Sequence, residues 1–380
     1  MAEGRTATKS PSPTQPSEAE RRTATGAASH PQSPKTARRS PSPAMDQPFH
    51  PTIEAEGDEQ EDEGDGYETA SNASSCGTSS LSSSVRDYNF ENKRRYHKFK
   101  EGRYAFPNDD AEQEREDMKH AMVVTICGGA LHSAPLKNPH KILDVGTGTG
   151  IWAIDMGDEY PEAEITGVDL SPIQPAYVPV NVSFIVDDAE AEWLYPENSF
   201  DYIHLRHMGP AIKNWTKLFA QAYRRTLKPG GWVEIQEIQW DYQCDDGTMP
   251  PGYAVKKMSQ LLWQGLSNLG ITESPTNAIP QHLKDAGFLY EIHDIHKVPF
   301  GAWPKRLDLK KIGSYCKAVT YDGLYGITVG PLTRGLGWTA EEVEIFLIDV
   351  RKDLLNTSIH SYVFYHSIAG QKPMDAEVLG

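Results

Sequence analysis

An apolar strand that runs directly into a glycine-rich turn constrains this chain more than any other feature. The stretch is ILDVGTGTG, residues 142–150, and the acidic Asp144 stands just before the first glycine. A strand, a tight turn and a helix start in this order are typical of a nucleotide-binding corner in an open α/β sheet. Closely spaced glycines also occur in ordinary flexible turns, so the residues that follow must decide between the two interpretations.

Strand and helix patterns alternate after this turn. The predicted strands are residues 141–145, 164–170, 182–187, 200–206, 232–238, 289–299 and 361–368, and the predicted helices are residues 110–130, 150–156, 212–227 and 252–269. Such alternation indicates a doubly wound α/β fold with a mostly parallel sheet, because right-handed crossovers place helices on both faces. Residues 303–360 have mainly helical patterns and are too long for a plain loop, so a helical cap insertion is expected there.

The N-terminal part of the chain has a different composition. Residues 1–85 are rich in Ser, Thr, Pro, Ala and charged residues, with an acidic run over residues 54–68 and a serine tract over residues 71–84. Such a segment cannot bury enough apolar surface to offset the entropy of ordering. We therefore expect a disordered low-complexity tail.

Charge and cysteine usage exclude several classes of function. The net charge of -16 argues against a surface that neutralises phosphates, so no direct nucleic-acid partner is expected. The four cysteines are far apart and show neither a disulfide framework nor metal-ligand spacing. The N-terminus lacks a basic-then-apolar signal segment, and the apolar runs are too short to span a bilayer. The sequence thus predicts a cytoplasmic or nuclear protein that is not secreted and has no transmembrane segment or metal.

Two further acids end the second and third predicted strands. Asp169 follows the glycines by about twenty residues, the position where a carboxylate accepts hydrogen bonds from ribose hydroxyls. Asp188, beside Asp187, ends the next strand, where a carboxylate can accept from an adenine amine while Ala189 offers its backbone N–H to the ring. Together with Asp144 they form an ordered set at three successive strand ends, which favours a nucleotide cofactor over a plain turn.

The spacing of the glycines selects among nucleotide cofactors. Gly146, Gly148 and Gly150 form GxGxG rather than the GxGxxG that brings a helix start against a pyrophosphate. The carboxylate of Asp144 would repel a pyrophosphate but suits an ammonium group, as in the amino-acid end of S-adenosylmethionine. A dinucleotide remains the minor alternative.

Several stretches resemble the motifs of class I S-adenosylmethionine-dependent methyltransferases, and in particular of the fungal LaeA-like group. They are LDVGTGTGIWAIDM, GVDLSPIQP, DDAEAEW, SFDYIHLRHM and LKPGGWVEIQE. Three more are similar to the same group: YHKFKEGRYAFPNDDAEQEREDMKH, GLGWTAEEVE and IHSYVFYHSIAGQKP. The resemblance runs from about Tyr96 to Pro373 and does not cover the tail.

This resemblance implies S-adenosylmethionine as cofactor and a Rossmann-like sheet of seven strands whose last two form an antiparallel edge pair. It also implies that residues 86–140, an entry segment and N-terminal helix, cover the cofactor, and that residues 141–380 form the S-adenosylmethionine-binding domain. The implied contacts are Asp144, Gly146 and Gly148 at the methionine end, Asp169 at the ribose, Leu170 on the adenine face, and Asp188 with Ala189 at the adenine edge.

A base is optional for methyl transfer, because a methyl group on a sulfonium is already activated. Candidates stand at the carboxyl ends of the fourth and fifth strands, where open α/β sheets bind ligands: Arg206, His207, Glu234 and Glu237. His207 is the candidate base because an imidazole titrates near neutral pH. The alternative for His207 is a hydrogen bond within its loop, and His204, inside a strand, is expected to be structural.

Two functions are compatible with these motifs. The first is methyl transfer to an oxygen or nitrogen atom of a small-molecule intermediate of fungal secondary metabolism. The second, implied by the resemblance, is a LaeA-like nuclear regulator of metabolite gene clusters that acts with velvet-type protein partners. An enclosed apolar pocket beside the sulfonium would favour the first, and a shallow open site would favour the second.

Overall fold

The computed structural model describes residues 88–271 and 275–374. The tail predicted over residues 1–85 lies outside these ranges. The described part begins with an antiparallel hairpin, β1 (Tyr88–Glu91) and β2 (Arg94–His97). Neither strand was predicted, because each is only four residues long and carries little apolar alternation.

A single seven-stranded sheet follows the hairpin. Its strands are β3 (Lys141–Val145), β4 (Glu164–Asp169), β5 (Val182–Val186), β6 (Phe200–Arg206), β7 (Leu227–Gln243), β8 (Leu289–Pro299) and β9 (Tyr362–Gln371). They lie in the order β5-β4-β3-β6-β7-β9-β8, and only β9 runs against the others. The expected mostly parallel seven-stranded sheet is confirmed, and so is the antiparallel pairing of its last two strands. The strand order reverses beside β3, and ligands bind at such a reversal, at the carboxyl ends of the strands.

The helices cover both faces of the sheet and form the cap region. They are α1 (Asp110–Ile126), α2 (Ile151–Glu159), α3 (Trp215–Gln221), α4 (Ala254–Asn268), α5 (Ile279–Ala286), α6 (Leu307–Gly330) and α7 (Ala340–Leu355). In the segment predicted as a helical cap, α6 and α7 are joined through a π-helical turn, Pro331–Gly335. The sequence missed α5, which has only eight residues.

The predicted helix over residues 212–227 is shorter in the structure. A π-helical turn, Ala222–Thr226, follows α3, and β7 begins at Leu227. The Lys-Pro-Gly-Gly stretch, residues 228–231, lies inside the irregular start of β7. Phe200 of β6 pairs with Leu227 and Tyr202 with Trp232, so the stretch forms a bulge between two paired positions.

The cap helices share one hydrophobic core with the far ends of β7 and β9. Met122 of α1, Met258 of α4, Leu324 of α6 and Leu347 of α7 all pack in it with Val363 of β9. Because α1, α4 and α6 meet above the carboxyl ends of the strands, the space between them lies next to the ligand crevice. None of the helices in the two described ranges combines the length and the apolar composition needed to cross a membrane.

The entry segment is tied down at both of its ends. Arg94 of β2 donates to Asp109, Nη2 to Oδ1 at 2.7 Å, and Asp109 caps α1 by accepting from the Glu112 backbone N–H at 3.1 Å. At the other side, Arg334 donates to Glu91 of β1, Nε to Oε2 at 2.9 Å. The hairpin therefore links α1 to the turn that follows α6.

Candidate functional site

The glycine turn after β3 is built for close approach. Gly146 has a φ of +75°, and a Cβ there would lie 2.1 Å from the sulfur of Met208. Gly150 has a φ of +84°, and a Cβ there would lie 2.4 Å from the ring of Phe184. A side chain at either position would therefore be strained and would collide with a neighbour. The backbone of the turn is thus exposed to the crevice above it.

A cavity with about 1010 Å³ of empty space, partly open to solvent, lies above this turn. Its walls come from the entry segment, α1, the glycine turn and the carboxyl ends of β4, β5 and β6. Of the site residues expected from the sequence it is lined by Gly146, Gly148, Asp169, Leu170, Asp188, Ala189 and His207. The structure thus brings together six of the seven predicted cofactor residues and the candidate base.

Asp169 is held rigidly at the end of β4. Its carboxylate accepts from the Gly148 backbone N–H at 2.9 Å and from the Ser171 N–H at 2.8 Å. Burial raises its pKa, although both hydrogen bonds act in the opposite direction. The carboxylate therefore has a fixed orientation and lone pairs left for hydroxyl donors in the cavity.

Asp188 lies at the far end of the same cavity and is contacted by the entry segment. Its Oδ1 accepts from the Glu190 backbone N–H at 3.0 Å and lies 3.7 Å from Nε of Arg103. Arg103 also pairs with Glu190. Asn108 donates to Ser171 at 3.2 Å, after β4. The entry segment is therefore fastened over the cavity on two sides.

Asp144 does not line this cavity but a smaller one beneath the turn, of about 380 Å³. Its Oδ1 lies 2.7 Å from Nδ1 of His204, and the ring of His204 stacks on Trp152 at 3.6 Å. The two cavities share Glu116, Gly146, Gly148, Thr149, Arg206 and His207, so they adjoin at the turn. His204 has the structural contacts expected for it.

Arg206 lies where the first cavity meets the smaller cavity beneath the turn. The sequence named it only as one of four candidates at strand ends. Burial lowers the pKa of its guanidinium, and none of the described residues places a carboxylate within ion-pair distance of it. Its Nη2 contacts Nδ1 of His120 at 2.9 Å, while its Nη1 is buried without a partner among the described residues. Thr147 Oγ1 and His204 Nε2, which line the smaller cavity, are also unpartnered there. Buried polar groups of this kind are rare in folded proteins and indicate a polar ligand.

His207 follows β6 in a left-handed conformation, with a φ of +55°. Its backbone N–H donates to Gln236 at 2.9 Å, and its Nδ1 lies 3.6 Å from Oε1 of Glu237. Burial, with Lys119 and Arg206 nearby, lowers the pKa of the imidazole well below its ordinary value. The ring is therefore neutral near pH 7, and its Nε2 has no hydrogen-bond partner among the described residues.

Glu234, the first of the two glutamates of β7, is held within the sheet. Glu234 lies in the sheet, where it accepts from the Ser133 and Ala134 backbone N–H groups at 3.0 and 2.9 Å and from Tyr202 Oη at 3.0 Å. Burial alone would raise the pKa of Glu234, but its hydrogen bonds lower it overall. Glu234 is therefore structural and lines neither cavity.

A second large cavity, of about 740 Å³ and partly open, adjoins the first. Both are lined by Tyr104, Glu116, Lys119 and His207. Beyond this junction the second cavity is mainly apolar, with walls from α4, α6 and the end of β7. The sequence anticipated the role of a cap but not this chamber, because its walls come from elements that are far apart along the chain.

Glu237 lines this second cavity. It accepts from the Gly209 and Ile238 backbone N–H groups, at 2.8 and 3.1 Å. Burial raises its pKa to about 7, with Glu116 acting in the same direction and Lys119 against it. At pH 7 a carboxyl that is about half protonated therefore lies next to a neutral imidazole.

Substitution of Glu237 by Gln is expected to change how stability depends on pH. Folding raises the pKa of Glu237 from 4.5 to about 7, so in this interval the folded chain keeps a proton that the unfolded chain loses. Wild-type stability should therefore fall relative to Glu237→Gln as the pH rises from 4.5 to 7, by about 3 kcal/mol in total. Urea unfolding of both proteins at pH 4.5, 6 and 8 measures this. A constant difference across the series would contradict the buried, protonated state.

Comparison with known proteins agrees with the fold and the motifs. A family model described as a methyltransferase domain matches residues 116–289. The chain is 42% identical over 302 residues to methyltransferase pytC of Aspergillus terreus, covering 79% of this chain and 92% of that protein. It is 38% identical over 290 residues to the secondary metabolism regulator LAE1 of Cochliobolus heterostrophus, covering 74% and 94%. It is 32% identical over 299 residues to the protein-methionine methyltransferase laeA of Emericella nidulans, covering 78% and 79%.

The sheet order, the glycine turn with its strand-end acids, and the identity shared over most of the chain all lead to one assignment. This protein belongs to the fungal LaeA-like group of class I S-adenosylmethionine-dependent methyltransferases.

Proposed function

We propose that this chain transfers a methyl group from S-adenosylmethionine to an oxygen or nitrogen atom of a small-molecule intermediate of fungal secondary metabolism. The observation that carries the proposal is the second, mainly apolar cavity, which meets the first at Tyr104, Glu116, Lys119 and His207. A donor in the first chamber and an acceptor in the second would come together at this junction, away from bulk water.

The residues of the first chamber fit the three parts of the cofactor. Asp169 would accept from the ribose hydroxyls, and Leu170, Asp188 and Ala189 would contact the adenine. The smaller cavity under Gly146 and Gly148 suits the methionine end. There Asp144 would attract the ammonium group, and Arg206, whose Nη1 has no partner among the described residues, would bind the carboxylate. One charge of each sign matches a zwitterion.

When bound, the cofactor supplies a methyl group already activated by its sulfonium. The chain contributes position and a proton acceptor. The neutral imidazole of His207 has no partner for Nε2 among the described residues, and it would take the proton from an acceptor hydroxyl or amine as the new bond to carbon forms. Glu237, whose Oε1 lies 3.6 Å from Nδ1, would orient the ring and, in its ionised form, stabilise the charged imidazole. Residues 303–360 would act as the cap, since Val319, Thr320 and Ile327 line the acceptor chamber.

The alternative is a LaeA-like nuclear regulator of metabolite gene clusters with velvet-type partners. The observation in its favour is identity at 38% and 32% to relatives named as a regulator and as a protein-methionine methyltransferase. The mainly apolar lining of the second chamber favours a small apolar acceptor instead. Either reading is compatible with a cytoplasmic or nuclear location.

Gene deletion followed by metabolite profiling separates the two functions. Deletion is expected to remove one methyl group from one compound. A product about 14 mass units lighter should then accumulate, because a hydrogen atom replaces the methyl group. Reintroduction of Asp169→Ala should reproduce the deletion, while the exposed Asp158→Ala should restore the product. Silencing of many unrelated compounds would reject the tailoring enzyme in favour of the regulator.

A further inference from the structure

Two hydroxyl groups at the second cavity have no hydrogen-bond partner among the residues that the structure describes. Tyr242 comes from the end of β7 and Thr320 from the middle of α6, and both side chains line the cavity. Tyr242 is 0% exposed and Thr320 is 3% exposed. In the described part of the chain, neither Tyr242 Oη nor Thr320 Oγ1 finds a partner. Because a buried hydroxyl without a partner destabilises a fold, this pair requires an explanation.

Thr320 departs from the behaviour of other threonines in the helices. Thr125 donates to the Ala121 carbonyl at 2.8 Å, and Thr333 donates to the Val329 carbonyl at 2.6 Å, each one turn back along its helix. This local bond is the usual partner of a helical threonine. Thr320 makes no such bond, so its hydroxyl remains available to the chamber.

The other residues that line the second cavity beyond the junction indicate the kind of ligand that would fit it. Apart from Arg115, Glu237 and Ser259 they are apolar: Phe106, Pro210, Trp240, Met258, Leu262, Trp263, Leu266, Val319 and Ile327. Three of these nine residues, Phe106, Trp240 and Trp263, carry aromatic rings. Flat rings in the walls favour a planar ring system in the chamber.

The two hydroxyls lie away from the junction. β7 advances by about 3.3 Å per residue, so Tyr242 follows Glu237 by up to about 16 Å along the strand. Thr320 belongs to α6, which contributes no residue to the wall shared with the first chamber. A ligand that reaches from the junction to these hydroxyls must carry polar groups at its far end.

We propose that the second cavity selects a flat, largely apolar ring compound with a hydroxyl or carbonyl group at the end remote from the methylated atom, and that Tyr242 and Thr320 hydrogen-bond to that group. The inference rests on the proposed function, because it specifies the class of acceptor for the same site. Both residues are specificity determinants in this arrangement and take no part in the transfer.

Two ring compounds of nearly equal shape test the proposal directly. The probes are 2-naphthol and 2-methylnaphthalene, which differ by a hydroxyl in place of a methyl group. Calorimetric titration of the full chain should give about 3- to 10-fold tighter binding of 2-naphthol, the value of a hydrogen bond to a neutral partner. In the double variant Tyr242→Phe/Thr320→Val this preference should vanish, while affinity for 2-methylnaphthalene stays the same.

Thr226→Val is the matched control. Thr226 is 0% exposed, its hydroxyl is also unpartnered within the described residues, and it lines neither chamber. This variant should keep the preference for 2-naphthol. The melting temperature of every variant should equal or exceed that of wild type, because each loses an unsatisfied hydroxyl. Tyr242→Phe and Thr320→Val are measured singly as well, so that one misfolded variant does not decide the result.

Three results would overturn the proposal: no preference for 2-naphthol in wild type, a preference that survives in the double variant, or no binding of either probe. None of these measurements involves methyl transfer. Failure of the chain to bind S-adenosylhomocysteine would instead contradict the proposed function, and the two failures are therefore distinguishable.

Discussion

Asp169→Ala is expected to weaken the binding of S-adenosylhomocysteine by about 100-fold, because two hydrogen bonds from ribose hydroxyls to a carboxylate together contribute about 3 kcal/mol. The same loss is expected for 5′-methylthioadenosine, which keeps the ribose but lacks the amino-acid end. Asp169 is oriented by the Gly148 and Ser171 backbone N–H groups, so the carboxylate is fixed before the ligand arrives. Isothermal titration calorimetry with both ligands measures the effect.

Asp158→Ala is the matched control for Asp169→Ala. Asp158 is an exposed residue of α2, so its substitution removes one negative charge from the chain and leaves the cavity intact. Its affinity for both ligands should equal that of wild type. Unchanged affinity in Asp169→Ala would mean that the ribose binds elsewhere.

Arg206→Met is expected to discriminate between the same two ligands. Loss of a buried guanidinium from a carboxylate costs about 3 kcal/mol, which corresponds to about 100-fold weaker binding of S-adenosylhomocysteine. Binding of 5′-methylthioadenosine should change little, because this ligand has no carboxylate. The folded chain should also become more stable without ligand, since Arg206 is buried with Nη1 unpartnered in the described ranges.

The two variants together show which end of the cofactor lies at β4 and which lies at the glycine turn. Loss at Asp169 for both ligands and loss at Arg206 for only one would orient the cofactor with its ribose at β4 and its methionine end at the turn. Equal losses for both ligands in Arg206→Met would show a general structural role for the arginine and reject its assignment to the carboxylate.

The parallel part of the fold and most of the donor site could be predicted from the sequence. The buried strands β3 and β6 are mainly apolar, and their bounds agree with those predicted. Strand ends of a parallel sheet converge on one edge, so Asp169 and Asp188 could be placed in one crevice from their positions after β4 and β5. The strand bounds and the position of the donor site therefore follow from the pattern of apolar residues along the chain.

The acceptor chamber could not be predicted in the same way. Its walls join Phe106, Trp240, Leu262 and Val319, which belong to elements brought together only by tertiary packing. The state of Glu237 likewise depends on burial beneath α1 rather than on any local motif. Arg206 could be recognised from the sequence as a strand-end residue, but the lack of a partner for its Nη1 within the described ranges depends on how the surrounding side chains pack.

The two chambers differ in how they relate to the family domain. The matched region, residues 116–289, contains the glycine turn and the strand-end acids, yet Phe106, Val319 and Thr320 of the acceptor chamber lie outside it. Substitutions at these three positions alter the shape and hydrogen-bonding capacity of the acceptor chamber, and none of the three lines the donor chamber. Relatives with the same donor chemistry can therefore diverge in acceptor through Phe106 and α6 alone, and those positions are where paralogues should be compared to sort them by product.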